Sequence, residues 1–239
     1  MKRLFSLLVI CIAVLCFFSS CAMGKPMKLM PALPESIFDV AYLAFAIGSG
    51  ISLLKRKGSN TVTRLLGLMA LILGCGDAFH LVPRVLNYWV PGDWTAALGI
   101  GKLVTSITMT VFYLLLEHVR RIRYKIQERT TLFAVYALSA ARIVLCLFPQ
   151  NMWISADAPL SWGIYRNIPF LILGILSIIL WHRSAKEDMV FRFLWLAILL
   201  SFAFYVPVVL WTDTIPLLGM LMLPKTVMYI WMIVMFKKA

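Results

Sequence analysis

The chain has 239 residues, 62% of them hydrophobic and 14% charged, with a mean hydropathy of +0.90. A soluble domain is about half apolar and about a quarter charged, so this composition excludes an ordinary water-soluble fold. The formal charge of +13 does not indicate nucleic acid, because the basic residues sit in alternate short loops between apolar runs, as membrane topology requires.

Taken in chain order, the first segment has the three regions of a secretory signal. Met1-Lys2-Arg3 precedes an apolar run at 4–20, and Ser19-Ser20-Cys21-Ala22-Met23-Gly24 follows. Ser20-x-Ala22 or Ala22-x-Gly24 would suit a signal peptidase. Phe18-Ser19-Ser20-Cys21 is similar to a lipobox, and an uncleaved first helix is the third alternative. Removal is the favoured reading. Residues 1–24 are thus a signal peptide or a first transmembrane helix, 25–36 a short extracytoplasmic tail, and 37–239 a seven-helix transmembrane domain.

Further apolar runs lie at 37–54, 64–88, 95–119, 130–148, 162–181, 190–211 and 214–236. Each is close to the roughly 20 residues that a helix needs to cross a bilayer. Lys55, Arg56, Lys57 and Arg64 mark one loop, and Arg120, Arg121, Arg123, Lys125 and Arg129 the next on the same side. Arg183, Lys186 and Arg192, and then Lys237 and Lys238, complete the set. The loops between, at 87–94 and 150–161, hold almost no Lys or Arg, while Trp89, Trp94, Trp153 and Trp162 flank them. The expected fold class is all-α: a polytopic membrane bundle of about seven helices, N-terminus out and C-terminus in the cytoplasm, in the cell (inner) membrane. Membrane lipids are the expected partners, nucleic acid is not, and a homo-oligomer through glycine-bearing helix faces stays open. The five cysteines show no paired spacing, so neither a disulfide framework nor a zinc site is expected.

Once loop charges are removed, a short list remains inside the spans: Arg84, Lys102, Arg142, Arg166 and Lys225 against Glu35, Asp39 and Asp77, with His80. Intramembrane ionisable groups are costly and usually face a protein interior or a wet cavity. Asp77, His80 and Arg84 recur at i, i+3 and i+7, on one helix face. Depth places most of the list in the outward half, with bases in excess. That pattern predicts an outward-facing, net basic cavity for an anionic or amphipathic ligand, with Arg142 and Arg166 as bidentate oxyanion clamps. The bland alternative is ion pairing between helices, Lys225 with Asp77 and Arg142 with Asp39, while Arg84 and Arg166 snorkel to the interface. Lys102, Ser106 and Thr110 form a stripe at i, i+4 and i+8 that suits either a site or interhelical hydrogen bonds. Pro224 should weaken the helix beside Lys225, with Tyr229 one turn on. Gly48-x-Gly50, Gly74-x-Gly76 and Gly99-x-Gly101 are read as close helix packing and not as phosphate loops.

The segments Gly76-Asp77-Ala78-Phe79-His80-Leu81-Val82-Pro83-Arg84 and Thr105-Ser106-Ile107-Thr108-Met109-Thr110 resemble an uncharacterised family of bacterial seven-span membrane proteins. Gly74-Cys75-Gly76-Asp77 with Phe79-His80 is similar to the early-span motif of the alkaline ceramidase-like membrane hydrolases. That similarity implies a seven-span fold with the N-terminus outside. The superfamily's zinc ligands include a His pair in the last span, where this chain has Lys225 and Tyr229, so no metal is implied. The last-span Lys also resembles the retinal-bearing Lys of rhodopsins, but Lys102 stands where microbial rhodopsins carry acids. No cofactor is expected.

Three function classes follow. The first is ligand binding or sensing through Asp39, Arg84, Lys102, Ser106, Arg142, Arg166, Lys225 and Tyr229. The second is an intramembrane enzyme on a lipid-like substrate, with Asp77 and His80 as acid–base pair. The third is a small-solute transporter, for which neither an inverted repeat nor paired broken helices are found.

Overall fold

A computed structural model describes residues 32–212 and 214–239. The signal-like segment, most of the tail, and Cys11, Cys16 and Cys21 lie outside the described residues. The rest forms seven helices: α1 Ala32–Leu54, α2 Thr61–Trp89, α3 Thr95–Arg123, α4 Thr130–Leu147, α5 Leu160–Ser184, α6 Leu194–Trp211 and α7 Met222–Lys238. Short 3₁₀ turns at Pro149–Asn151 and Pro216–Leu221 precede α5 and α7. The α1 to α6 helices, and the last turn-plus-helix Pro216–Lys238, are long and apolar enough to cross a membrane. The chain is a multi-pass helical membrane bundle.

Local chemistry sets the boundaries. Asn60 caps α2, its side chain accepting from the Thr63 N–H at 2.8 Å. Gly58 supplies the left-handed turn before it, with φ +71°. The basic residues Arg120, Arg121 and Arg123, His182 and Arg183, and Lys237 and Lys238 occupy the last turns of α3, α5 and α7. There they complement the helix dipoles and gather at one end of the bundle, the basic end. The α1 helix begins at Ala32, so Glu35 and Ser36 are already helical. Pro224 does not kink a continuous span. It lies in the first turn of α7, where a missing N–H costs little, and the change of helical pitch falls just before it.

Each helix packs on its successor, and α7 closes the ring against α1; α3 also meets α5, and α2 meets α7. Lipid offers no hydrophobic reward for bringing helices together, so close van der Waals packing must hold the ring. Small residues make the tightest seams. A Cβ at Gly50 would lie 2.9 Å from the Gly67 carbonyl oxygen, and one at Gly101 would run into the backbone of Phe79 and His80. Open space surrounds Gly48 instead, so its packing reading does not hold. Outward faces are apolar, as Ile168, Ile172, Ile175 and Ile179 of α5 show. Inside, Phe112, Tyr113, Phe170 and Phe202 interlock, with the Phe170 and Phe202 rings 4.9 Å apart.

The basic end is stapled by charge. Glu117 and Arg120, both buried, pair at 2.7 Å through two hydrogen bonds, and Arg120 also donates to Ser184 on α5. In the α5–α6 connection, Asp188 accepts from Arg123 at 2.6 Å, from Tyr124 at 2.7 Å and from the N–H groups of Val190 and Phe191. Burial works to raise the Asp188 pKa, but these donors outweigh it and hold the carboxyl down at about 2, against an ordinary 3.8. This capping also explains why α6 starts at Leu194 and not at residue 190.

Two predictions follow from this packing. Gly101→Val should destabilise the α2–α3 seam by about 1–3 kcal/mol in detergent unfolding, whereas Gly48→Ala should be neutral. A depressed carboxyl stabilises the fold above its unfolded pKa, and that contribution disappears as pH falls through the folded value. The melting temperature of Asp188→Asn should therefore lie below wild type by a constant margin above about pH 4, and the gap should close toward pH 2.

Candidate functional site

Opposite the basic end, all seven helices turn polar side chains toward one another. On α1 and α2, Glu35 pairs with Arg84 and accepts from the Tyr88 hydroxyl at 2.9 Å, while Trp89 donates to Ser36 at 3.1 Å. Asp39, 4% exposed, lies in the field of Arg84, Glu35 and Asp77, and its Oδ2 lacks a hydrogen-bond partner. One turn deeper the Tyr42 hydroxyl donates to Asp77 Oδ2 at 2.6 Å. A Tyr one turn past Asp39 meets an acid on the next helix because α1 and α2 are drawn close by their glycines.

Lys225 interacts electrostatically with Asp77 and Arg142. Its Nζ sits 4.6 Å from the centroid of Tyr205 and 5.6 Å from that of Tyr229. The Tyr229 hydroxyl turns the other way, toward Tyr113 and Ser201. His80 faces the Leu98 carbonyl, and its Nδ1 is buried without a partner. Asp77 accepts from Tyr42, and no hydrogen bond joins Asp77 to His80.

The third group is basic. Arg142 is 2% exposed, and its guanidinium carbon lies 3.3 Å from the centroid of the Phe170 ring. Its Nε and Nη1 have no hydrogen-bond partner, and its polar neighbours are Cys146, Tyr205 and Tyr229. Arg166 donates to Asn151 at 2.8 Å and lies over Trp153 at 4.3 Å. Asn151 is buried and gives its amide to the carbonyls of Leu145 and Phe148, at 2.7 and 2.9 Å, at the end of α4. Trp153 adds a bond to the Cys146 carbonyl. The Tyr205 hydroxyl donates to Asn167 at 2.8 Å.

Several expectations need correction. Arg142 and Asp39 do not pair; Asp39 belongs to the α1–α2 group and Arg142 stacks on α5. Arg84 pairs with Glu35 at the start of α1, and Arg166 donates to Asn151 in the turn before α5. Lys225 and Asp77 form no direct ion pair, because Tyr42 takes the carboxylate and aromatic rings take the ammonium. The α3 stripe is mostly self-satisfied: Ser106 donates to the Lys102 carbonyl at 2.7 Å and Thr110 to the Ser106 carbonyl at 2.8 Å. Thr105 crosses to the Gly76 carbonyl at 3.1 Å, and the Ser106 hydroxyl also meets Cys146 of α4. Lys102 is an exposed position. Sequence reasoning missed Tyr42, Asn151 and Phe170. An Asn just past an apolar run, two residues after Pro149, was the one available hint, as a helix-end signal.

Between α5 and α6 a cleft opens, lined by Ile164, Leu171, Val206 and Leu210 among others, with Phe170, Phe202, Asn167 and Tyr205 at its wall. Among the described residues, no three His, Cys, Asp or Glu side chains gather where they could hold a metal ion. Compared with protein-family models, curated proteins and solved structures, the chain finds no match.

Tyr42→Phe removes the donor of a buried carboxylate and should cost about 1–3 kcal/mol in detergent unfolding. Tyr88→Phe, at an exposed rim, should cost less than about 1 kcal/mol. Equal effects would show that Asp77 has found another partner.

Proposed function

We propose that this chain is a multi-pass protein of the bacterial cell membrane, with its C-terminus in the cytoplasm, that binds an anionic or amphipathic ligand in its outward half. The basic loops, gathered at one bundle end, support the orientation by the positive-inside rule. One observation carries the binding role: Arg142 is buried, has no carboxylate beside it, and keeps Nε and Nη1 without partners. An uncompensated buried cation is strongly destabilising, so a site that retains one suits a ligand that brings the counter-charge. Lys225 adds a second positive charge nearby, and Arg166 a third on the neighbouring helix. A carboxylate or phosphate oxygen would accept from an open guanidinium donor and bring the missing counter-charge. The acid–base alternative draws less support, because Asp77 is turned to Tyr42 and does not orient His80.

Native mass spectrometry of the full chain in mild detergent tests this reading, with wild type beside Arg142→Gln. Wild type should retain an anionic lipid or acidic metabolite, and the variant should hold it about tenfold more weakly or lose it. Equal adducts in both would mean that Arg142 is a structural cation held by Phe170 and its polar neighbours.

A further inference from the structure

We infer that the cleft between α5 and α6 is a lateral portal that seats the acyl chain of an anionic membrane lipid whose head reaches Arg142, an inference that rests on the proposed anion site. The cleft and the basic cluster share two side chains. Phe170 and Tyr205 line the cleft, and Phe170 also bears the Arg142 guanidinium and Tyr205 the Lys225 ammonium. An apolar cleft therefore reaches the two rings that carry the Arg142 and Lys225 cations. A free inorganic anion would need no such cleft, while an amphiphile needs both surfaces at once. Apart from Asn167 and Tyr205 the lining is apolar: Ile164 and Leu171 from α5, Val206 and Leu210 from α6.

The walls are also built to part. Pro169 lies inside α5 and Pro207 inside α6, both at the level of the cleft. Each removes one helical hydrogen bond and weakens its helix there. The polar link across the cleft is the Tyr205 hydroxyl donating to Asn167 at 2.8 Å. Beside it, the side chains at the cleft wall meet through ring contacts of Phe170 with Phe202 and Tyr205. The oxyanion end of a lipid head can replace the hydrogen bond, accepting from the Tyr205 hydroxyl and from an open Arg142 donor.

The test uses the full chain in mild detergent, titrated with phosphatidylglycerol, with phosphatidylcholine, and with glycerol phosphate as a head without a tail. Wild type should retain phosphatidylglycerol over phosphatidylcholine. Val206→Trp, which fills the cleft, should weaken phosphatidylglycerol retention about tenfold, the effect of losing roughly two buried methylenes. It should leave glycerol phosphate binding unchanged, whereas Arg142→Gln should weaken both. Wild-type retention of phosphatidylglycerol by Val206→Trp overturns the portal and leaves the anion site standing. Unchanged binding of both probes by Arg142→Gln overturns the anion site itself. Should Val206→Trp fail to fold, phosphatidylglycerol carrying a photoactivatable group in its acyl chain decides the matter on wild type. Labelled peptides from α5 and α6 at the cleft support the portal, and labelling elsewhere overturns it.

Discussion

The Arg142 guanidinium enters the bundle from α4 and lands on the face of Phe170, with no carboxylate near it. Burying an unpaired charge costs several kcal/mol even after relaxation, and a desolvated cation–π contact returns about 2 kcal/mol. The remainder of the polar half is arranged around that imbalance. The acids stand on α1 and α2, where Tyr42, Arg84 and Tyr88 hold them in place. The bases of α4, α5 and α7 are held by rings and amides. The carboxylates of Asp77 and Glu35, which could offset those positive charges, are engaged on α1 and α2 instead. The field between the two groups is therefore sustained by the structure and is not an accident of net charge.

The two ends of the bundle solve the same problem by different means. At the basic end, carboxylates meet guanidinium groups directly, and Asp188 also collects backbone N–H groups. Such contacts are short and directional. At the opposite end, cations lie over aromatic faces, where attraction depends weakly on lateral position. Between them run glycine seams in which backbone meets backbone. The first three helices thus form a firm wedge, and the later helices carry the softer contacts.

Apolar run length and loop charge made the seven helices readable, and most boundaries fall within a few residues of the sequence reading. Two of the larger differences have local causes: the Asp188 cap at α6 and the 3₁₀ turn before α7. The identity of the polar residues was equally visible, since an ionisable group in an apolar run stands out. Their partners were not. Choosing Tyr42 over Lys225 for Asp77, or Phe170 over Asp39 for Arg142, depends on helix rotation and interhelical distance, which composition does not encode. Phe170 in particular is one of 15 phenylalanines, and nothing local marks it as a cation's seat. The stripe on α3 misled for a related reason: a hydroxyl in lipid satisfies itself on its own helix before it seeks a neighbour.

Asn151 illustrates how few side chains fix a connection. With one amide it closes the end of α4, and with one carbonyl it holds Arg166 of α5. The spacing of these two helices is therefore set before the chain has left the turn. Residues Ala156, Asp157 and Ala158 that follow are all exposed and carry none of that duty. A fluorophore, epitope tag or short insertion placed there would ride on the bundle as passive cargo, and would give an engineer a handle beside the basic cluster without touching its scaffold.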